Sequence, residues 1–319
     1  MQAMRGIIIA VVASLAFGTS GPFIKPLLEA GWSPAAAVAV RTLIGSILLA
    51  PVAFYALRGR WAALWRGRWR VFGMGLIGVA GCQLTYFIAV SRIPVGTAIL
   101  VEYLAPVLLV LFAWVTTRRM PKRVVLVGSA IAIAGLVLVV GPGPLASVDS
   151  LGLFFAFLAA IGAAGYYLIA ARPSDGLPGV ALAWSGLGMG SVILFLVGAT
   201  GVIPFRMVFT DIPYSGTTAP WWVLLGIVAV FGTAIAYAAS IIGTGLLGSR
   251  LMSFLGLLEV VFATLFAWLL LGEVLTFSQL LGGVLILAGI LFVYAERRVT
   301  MPIEPLEMPA ATEPIPTRP

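Results

Sequence analysis

The chain has 319 residues, of which 61% are hydrophobic and 9% charged, and its mean hydropathy is +1.13. A soluble domain is about 45–50% apolar and about 25% charged, so a single soluble core cannot bury this excess. The composition excludes a soluble enzyme, a nucleic-acid-binding protein and a disordered scaffold, and it predicts an integral membrane protein. The net charge of +8 comes from basic residues between apolar runs, where they indicate membrane topology.

Histidine and cysteine are the residues whose scarcity restricts the chemistry. The chain has no histidine, so the commonest metal ligand and the commonest general base are both missing. The single cysteine, Cys82, excludes an internal disulfide and a thiolate cluster. We therefore expect no catalytic residues, no metal site and no cofactor. The chain is expected to move a solute and not to act as an enzyme.

Ten apolar runs are long enough to cross a bilayer core about 30 Å thick, which takes about 20 residues per helix. Pro34, Pro94 and Pro178 lie near predicted helix starts, where a missing N–H does no harm. Residues 141–144, Gly-Pro-Gly-Pro, separate the fifth run from the sixth. We expect the first run to be a retained span and not a cleaved signal peptide. The predicted spans are residues 6–24, 35–57, 71–91, 95–117, 123–141, 151–171, 178–200, 220–243, 249–271 and 276–295.

The distribution of lysine and arginine at the ends of these runs predicts the orientation. One side would have only Lys25, Arg92 and Arg206, so the opposite side is predicted to be cytoplasmic, with both termini there. This makes the chain a multi-pass protein of the cell (inner) membrane. The arginine-rich cytoplasmic segment also has a tryptophan at every fourth position, which favours a short interfacial helix. These tryptophans are Trp61, Trp65 and Trp69.

An internal repeat appears when the chain is aligned with itself at an offset of 154 residues. The Leu-Phe-Ala-Trp block at 111–114 then matches 265–268, and two glycines seven residues apart match two others. Five spans per copy is an odd number, so the second copy must enter the membrane in the opposite orientation. Such inverted repeats are typical of secondary transporters, which bind substrate between the copies. The matched glycine pairs are Gly128 with Gly282 and Gly135 with Gly289.

The predicted fold class is therefore an all-α integral membrane protein. Its ten transmembrane helices form two inverted five-helix repeats, and both termini are cytoplasmic. The predicted units are a first repeat at 1–142, a second repeat at 143–298 and a disordered, proline-rich cytoplasmic tail at 299–319.

The segment 257–273, Leu-Leu-Glu-Val-Val-Phe-Ala-Thr-Leu-Phe-Ala-Trp-Leu-Leu-Leu-Gly-Glu, resembles a motif of the drug/metabolite transporter superfamily, EamA-like branch. That branch typically shows Leu-Glu-Pro and then an apolar run ending in Leu-Gly-Glu. Here Val260 occupies the proline position, while the first repeat keeps Pro106 but has Ala105 at the glutamate position. The resemblance covers residues 6–296.

What the resemblance implies is a secondary active or facilitative transporter that works by alternating access. It is nearest to exporters of amino acids, including the aromatic amino-acid type, or of related metabolites. The implied partners are a small-molecule substrate and the lipid bilayer. Proton coupling, a different load such as a drug, and a lipid-handling protein or channel stay open as alternatives, as does the oligomeric state.

Three ionisable residues, Arg41, Glu102 and Glu259, fall inside predicted spans, where a charge costs about 2.5–3.5 kcal/mol for Arg, Lys or Asp on insertion scales. Glu259 would bind a substrate ammonium group, exchange a proton, or bond a neighbouring helix end. Arg41 and Glu102 lie at matching depths in the outer half. They would form a structural ion pair with each other, or bind the two charges of a zwitterionic substrate.

Aromatic residues with a polar atom recur in the middle of the runs, and Tyr167 is one of them. Each buried tyrosine needs a hydrogen-bond partner, which either close packing or a water-filled cavity supplies. As a set they favour an amphipathic cavity for organic solutes. The candidate substrate-binding residues are Gln83, Tyr86, Glu102, Tyr103, Tyr166, Trp184, Tyr237 and Glu259, and the candidate coupling or ion-pair residues are Arg41, Glu102 and Glu259.

Overall fold

A computed structural model describes residues 2–90, 92–93, 98, 101–140, 149–173, 176–214, 216–271 and 276–300. The predicted break at 141–144 and the predicted tail from residue 301 onward lie outside these residues, as does Pro94. Residues 299 and 300, which were predicted to start the tail, still belong to the last helix.

Helices account for nearly all of the described chain. In the first half of the sequence they are α1 (Gln2–Gly18), α2 (Ser20–Glu29), α3 (Pro34–Ala56), α4 (Trp61–Arg66), α5 (Arg68–Gly73), a π-helical segment (Met74–Gly81), α6 (Cys82–Val90), α7 (Ala105–Thr117) and α8 (Arg123–Val140). In the second half they are α9 (Ser150–Ala171), α10 (Gly179–Ala199), α11 (Trp221–Ala229), a second π-helical segment (Val230–Ile235), α12 (Ala236–Leu247), α13 (Ser249–Gly256), α14 (Leu258–Leu271) and α15 (Phe277–Thr300).

Within the described residues, seven helical stretches are long and apolar enough to cross a membrane, and they correspond to seven of the ten predicted runs. Three of them join neighbouring helices: α1 with α2, α11 with α12, and α13 with α14. Large apolar side chains on their outer faces are exposed, including Ile47, Leu196 and Leu291, which suits a lipid-facing surface. Runs three, four and five also appear as helices, the last two as shorter apolar segments. The count of ten spans stays a prediction.

Local sequence accounts for two of the helix starts. The Ser33 hydroxyl accepts a hydrogen bond from the Ala36 N–H, and Pro34 is the first residue of α3. At the start of α9, the Asp149 carboxylate accepts from the Leu151 N–H.

The polar connection at 201–219 contains a small β-hairpin. Strand β1 (Ile212–Tyr214) pairs antiparallel with β2 (Thr217–Ala219), and Ile212 faces Ala219 in the register. Gly216 has φ +79°, a left-handed conformation that glycine adopts without a Cβ clash. The chain before the hairpin is tied to the helices, because the Trp32 indole N–H donates to the Val208 carbonyl at 2.6 Å.

Helices from the two halves of the sequence pack closely on each other. The most extensive contacts join α8 with α15, α3 with α10, α1 with α12, and α6 with α9. Glycine permits the closest of these approaches: a Cβ added to Gly135 would lie 2.6 Å from the Gly282 carbonyl oxygen. A Cβ added to Gly289 would lie 2.6 Å from the Gly128 carbonyl oxygen.

Candidate substrate site

Two helix breaks frame the middle of the molecule. In the first half, Glu102 is helical, Tyr103 and Leu104 form a turn, and α7 begins directly afterwards. In the second half, a turn at Leu257 separates α13 from α14, and Glu259 lies in the first turn of α14. Broken helices of this kind form the substrate sites of many transporters, because the broken turn frees backbone polar groups.

The structure places a turn inside each of the predicted runs 95–117 and 249–271, while Ser249–Leu270 as a whole is still long and apolar enough to cross a membrane. Pro106 lies in the first turn of α7, and it lacks the N–H that would bond the Glu102 carbonyl in a continuous helix. The second break has Val260 at the equivalent position, so proline is not required for it. Gly256 directly precedes that break, and a Cβ there would lie 2.5 Å from the Tyr167 hydroxyl oxygen.

The two breaks contact each other through their side chains. The Tyr103 hydroxyl, from the first break, lies beside the Glu259 carboxylate at the second and interacts with it electrostatically. Glu259 at the start of α14 also lies where the helix dipole favours a negative charge. This contact joins the two halves of the sequence at the centre of the site.

Arg41 is buried on α3, with 6% of its surface exposed. Its Nη2 donates to Gln83 Oε1 at 3.2 Å, while its Nε–H has no hydrogen-bond partner in the described residues. Its nearest electrostatic neighbours are Tyr237 and Glu259. A buried guanidinium N–H without a partner is costly, so this atom is available to an incoming acceptor.

The structure does not form the ion pair predicted between Arg41 and Glu102. Glu102 instead accepts from the Cys82 thiol, with Sγ and Oε1 3.4 Å apart. Cys82 and Gln83 are consecutive on α6, and consecutive helical side chains point about 100° apart. One therefore reaches Glu102 while the other reaches Arg41, and α6 keeps the two charges separate.

Tyrosines surround this charged centre. Tyr166 contacts Tyr167 edge-on with ring centroids 5.2 Å apart, and it contacts Tyr237 in the same way at 5.8 Å. The Tyr166 hydroxyl is buried and makes no hydrogen bond in the described residues, while Tyr237 lies near Gln83 and Arg41. Tyr86 lies near both carboxylates and completes the wall on α6.

The candidate set from the sequence is therefore mostly brought together. Trp184 packs edge-on against Phe54 at 5.1 Å, its carbonyl accepts from Ser46 Oγ at 3.0 Å, and it lies at the edge of the hydrophobic cluster that contains Tyr166 and Tyr237. The set omits Cys82 and Tyr167, which the structure places beside the two carboxylates. Tyr167 belonged to the mid-span aromatic set, whereas an isolated cysteine gave no comparable signal. The central cluster consists of Arg41, Cys82, Gln83, Tyr86, Glu102, Tyr103, Tyr166, Tyr167, Tyr237 and Glu259.

Comparison with known proteins assigns this arrangement to a family. The model of the EamA-like transporter family matches residues 4–141 and again 150–295, which together are most of the chain. The chain belongs to the EamA-like transporter family. It is a multi-pass transporter of the inner membrane, as the composition and apolar helices predicted.

Individual relatives are similar over nearly their whole length. The chain is 24% identical over 309 residues to the uncharacterized inner membrane transporter YicL of Salmonella typhimurium, covering 92% of this chain and 96% of that one. It is 26% identical over 292 residues to the uncharacterized transporter YwfM of Bacillus subtilis, covering 90% and 93%. A solved crystal structure superposes with a TM-score of 0.76 at 20% identity, covering 93% of this chain and 99% of that one, and shows the likeness of fold alone.

Proposed function

We propose that this transporter exports amino acids or related small metabolites by alternating access, with the substrate bound in the central cluster. The observation that supports this most is the buried Arg41, whose Nε–H has no hydrogen-bond partner in the described residues and which interacts electrostatically with Glu259. A zwitterion presents both charges that this arrangement complements. Its carboxylate would accept from Arg41, and its ammonium group would donate to Glu102 or Glu259.

The tyrosine walls support a substrate with an apolar or aromatic side chain. Aromatic rings supply large apolar contacts, and their hydroxyls supply a few fixed polar ones, as in most small-molecule sites. Gln83, Tyr86, Glu102, Tyr103 and Glu259 are partly exposed within the helix bundle, so a solute can reach them. Tyr166 and Tyr237 are more deeply buried and would form the floor of the site.

For alternating access we propose ten spans in two inverted five-helix repeats, 1–142 and 143–298, with both termini cytoplasmic. The family model's two matches support this division. The helix packing supports it too. If each span is replaced by the span five places away in the chain, the contact of α1 with α12 becomes the contact of α9 with α6, which the structure also has. The same replacement leaves the contacts of α8 with α15 and of α3 with α10 unchanged. The π-helical segments also lie in exchanged spans, the third and the eighth.

Proton coupling, if present, would use Glu259. Its carboxylate interacts with the Tyr103 hydroxyl across the two breaks, so loss of its charge would weaken this contact. Substrate ammonium and proton would then compete for one carboxylate, which is a simple basis for exchange.

Counterflow in proteoliposomes tests the proposal. Proteoliposomes that contain the full chain are preloaded with one unlabelled amino acid. Uptake of a panel of labelled amino acids is then measured for the parent, for Glu259→Gln and for Glu29→Gln. Glu29 is an exposed carboxylate at the end of α2 and serves as the matched control. We expect saturable exchange of neutral or aromatic amino acids by the parent and by Glu29→Gln.

The behaviour of Glu259→Gln distinguishes a proton-carrying role of Glu259 from a substrate-binding role. If Glu259→Gln keeps exchange but loses uptake driven by a pH gradient, Glu259 is the proton carrier. If it loses exchange as well, Glu259 binds substrate. No exchange of any amino acid by well-folded parent protein would contradict the proposed substrate class, and the search would move to other metabolites.

A further inference from the structure

A cavity lies between α3, α10 and the short helices α4 and α5. Its volume is about 610 Å³. Trp184 lines it together with Trp61 and Trp65. The remaining lining residues are Ser46, Leu64, Arg68, Val71, Ser185, Gly188, Met189 and Val192. We refer to this cavity as the α4 groove.

The interior of the groove is suited to a hydrocarbon chain. Its two hydroxyls are already bonded within the protein: Ser46 Oγ donates to the Trp184 carbonyl at 3.0 Å, and Ser185 Oγ donates to the Ala181 carbonyl at 2.7 Å. Neither needs a bond from an occupant, and the other lining groups below Arg68 are apolar or aromatic. A polar solute would lose its hydration there without replacement.

The groove reaches well into the membrane-spanning part of the helices. Ser46 is about 15 Å from Ala56, the end of α3, at 1.5 Å per residue. Val192 and Met189 on α10 are exposed on the outer surface of the bundle, so the groove opens where lipid tails lie. An acyl chain can enter it sideways from the bilayer.

The mouth of the groove is strongly basic. Arg68 lines it, with its guanidinium 5.1 Å from the Trp65 ring centroid and 5.8 Å from that of Trp69. In the described residues its one hydrogen bond is from Nη1 to the Trp65 carbonyl, at 3.1 Å, so other N–H groups remain for an anion. No acidic residue occurs in the sequence from 30 to 101, while the stretch around α4 and α5 contains five arginines: Arg58, Arg60, Arg66, Arg68 and Arg70.

We propose that the α4 groove is a binding site for one anionic phospholipid of the surrounding bilayer. The acyl chain fills the apolar groove, and the headgroup phosphate contacts Arg68 at the interface. Tryptophans at this level suit the boundary between headgroups and acyl chains, and basic pockets on the cytoplasmic side recognise anionic headgroups. The inference is independent of the proposed substrate, because it uses none of the residues of the central cluster.

Native mass spectrometry of the full-length protein in detergent tests this site. The protein is incubated with equal amounts of dioleoylphosphatidylglycerol and dioleoylphosphatidylcholine, and the bound lipid is counted. Arg68→Gln removes the phosphate contact, and Arg119→Gln, an exposed arginine after α7, is its matched control. Val192→Trp fills the groove, and Val127→Trp, at an exposed position on α8, is the control for added bulk.

We expect the parent and both controls to retain one phosphatidylglycerol in preference to phosphatidylcholine. Arg68→Gln should lower phosphatidylglycerol retention about fivefold, as expected for one arginine at an anionic surface. Val192→Trp should lower the retention of both lipids. Excess inorganic phosphate should leave retention unchanged, because the acyl chain is part of the ligand.

Three outcomes would overturn the proposal. The first is equal retention of the two lipids by the parent. The second is that Arg68→Gln or Val192→Trp behaves like its control in protein of unchanged thermal stability. The third is displacement of the lipid by inorganic phosphate, which would identify a simple anion site at Arg68.

Discussion

The contact between α8 and α15 follows the proposed internal repeat, whereas the central cluster does not. At the helix contact, both copies have glycines at matched positions: Gly128 lies against Gly289, and Gly135 against Gly282. In the central cluster the offset of 154 residues relates Glu102 to Gly256 and Glu259 to Ala105, so neither carboxylate has a counterpart.

The difference follows from what each region contacts. When two related helices pack about a two-fold axis, each contact occurs twice, with the roles of the two helices exchanged. A close approach therefore needs small residues at the matched positions of both helices. A small solute has no such symmetry. A site that distinguishes its two ends must place different groups in the two halves, as Arg41, Glu102 and Glu259 do.

The largest effect should come from the central cluster. Arg41→Gln removes the one buried cation near Glu259, and we expect it to lower the substrate exchange rate about 100-fold, in line with the loss of one buried charged contact. Arg119→Gln, an exposed loop arginine, should exchange at the parent rate. Equal exchange rates for Arg41→Gln and the parent would show that Arg41 does not take part in substrate binding.

Substitutions at the glycine contact between α8 and α15 should change the stability of the protein and not its substrate selectivity. Gly135→Ala forces a methyl group against the Gly282 carbonyl at 2.6 Å, and we expect a loss of about 1–3 kcal/mol in unfolding free energy. Gly283→Ala, on α15 with its nearest neighbour at 3.8 Å, is the control and should unfold like the parent. Thermal unfolding in detergent measures both. Similar melting temperatures for the two variants would mean that the close approach is not needed.

A smaller loss of exchange should follow from removing the contact between Tyr103 and Glu259. Tyr103→Phe deletes the hydroxyl beside Glu259, and we expect exchange to fall by up to about tenfold, since one intramolecular polar contact of this kind contributes about 0.5–1.5 kcal/mol. Tyr214→Phe, in the hairpin, removes a hydroxyl far from the site and should change nothing. Parent-like exchange by Tyr103→Phe would show that this contact does not hold the breaks in register.

We expect the smallest effect, on thermal stability, from the ion pair at the start of α9. The Arg92 guanidinium bonds Asp149 at 3.1 Å, and together with the Leu151 N–H it lowers the pKa of that carboxyl below its usual value. A lowered pKa stabilises the fold above the ordinary aspartate pKa, and this stability is lost as the pH falls through the lowered value.

Melting curves of the parent and Asp149→Asn should therefore differ slightly at pH 7 and converge in acid. Both side chains are substantially exposed, so solvent screens the pair and the difference should be small. A difference that persists unchanged in acid would assign the effect to the helix cap alone.

Sequence reasoning predicted the helices better than their interruptions. Hydropathy alone predicts α3, α9 and α10 to within one or two residues at each end, because lipid requires continuous apolar helices. It cannot predict the turn at Leu257, where no proline marks the break. The hairpin at 212–219 was also missed, since six strand residues in a polar connection give too short a pattern.

For the central cluster, the sequence supplied the residue types but not their pairing. A charge inside an apolar run is conspicuous, so Arg41, Glu102 and Glu259 are readily predicted as special. Equal depth in the membrane suggested that Arg41 and Glu102 would pair, but depth does not give direction around the helix axis. Partner choice depends on which face of α6 each charge meets, and this needs the three-dimensional packing.

The most direct test of the account compares three forms of one solute in counterflow: phenylalanine, phenethylamine, which lacks the carboxylate, and N-acetylphenylalanine, which lacks the ammonium charge. The account predicts that the parent exchanges phenylalanine well and the other two poorly. It also predicts that Arg41→Gln loses phenylalanine exchange while keeping the residual exchange of phenethylamine. If the parent exchanges phenethylamine as fast as phenylalanine, Arg41 does not bind the substrate carboxylate and the central claim is contradicted.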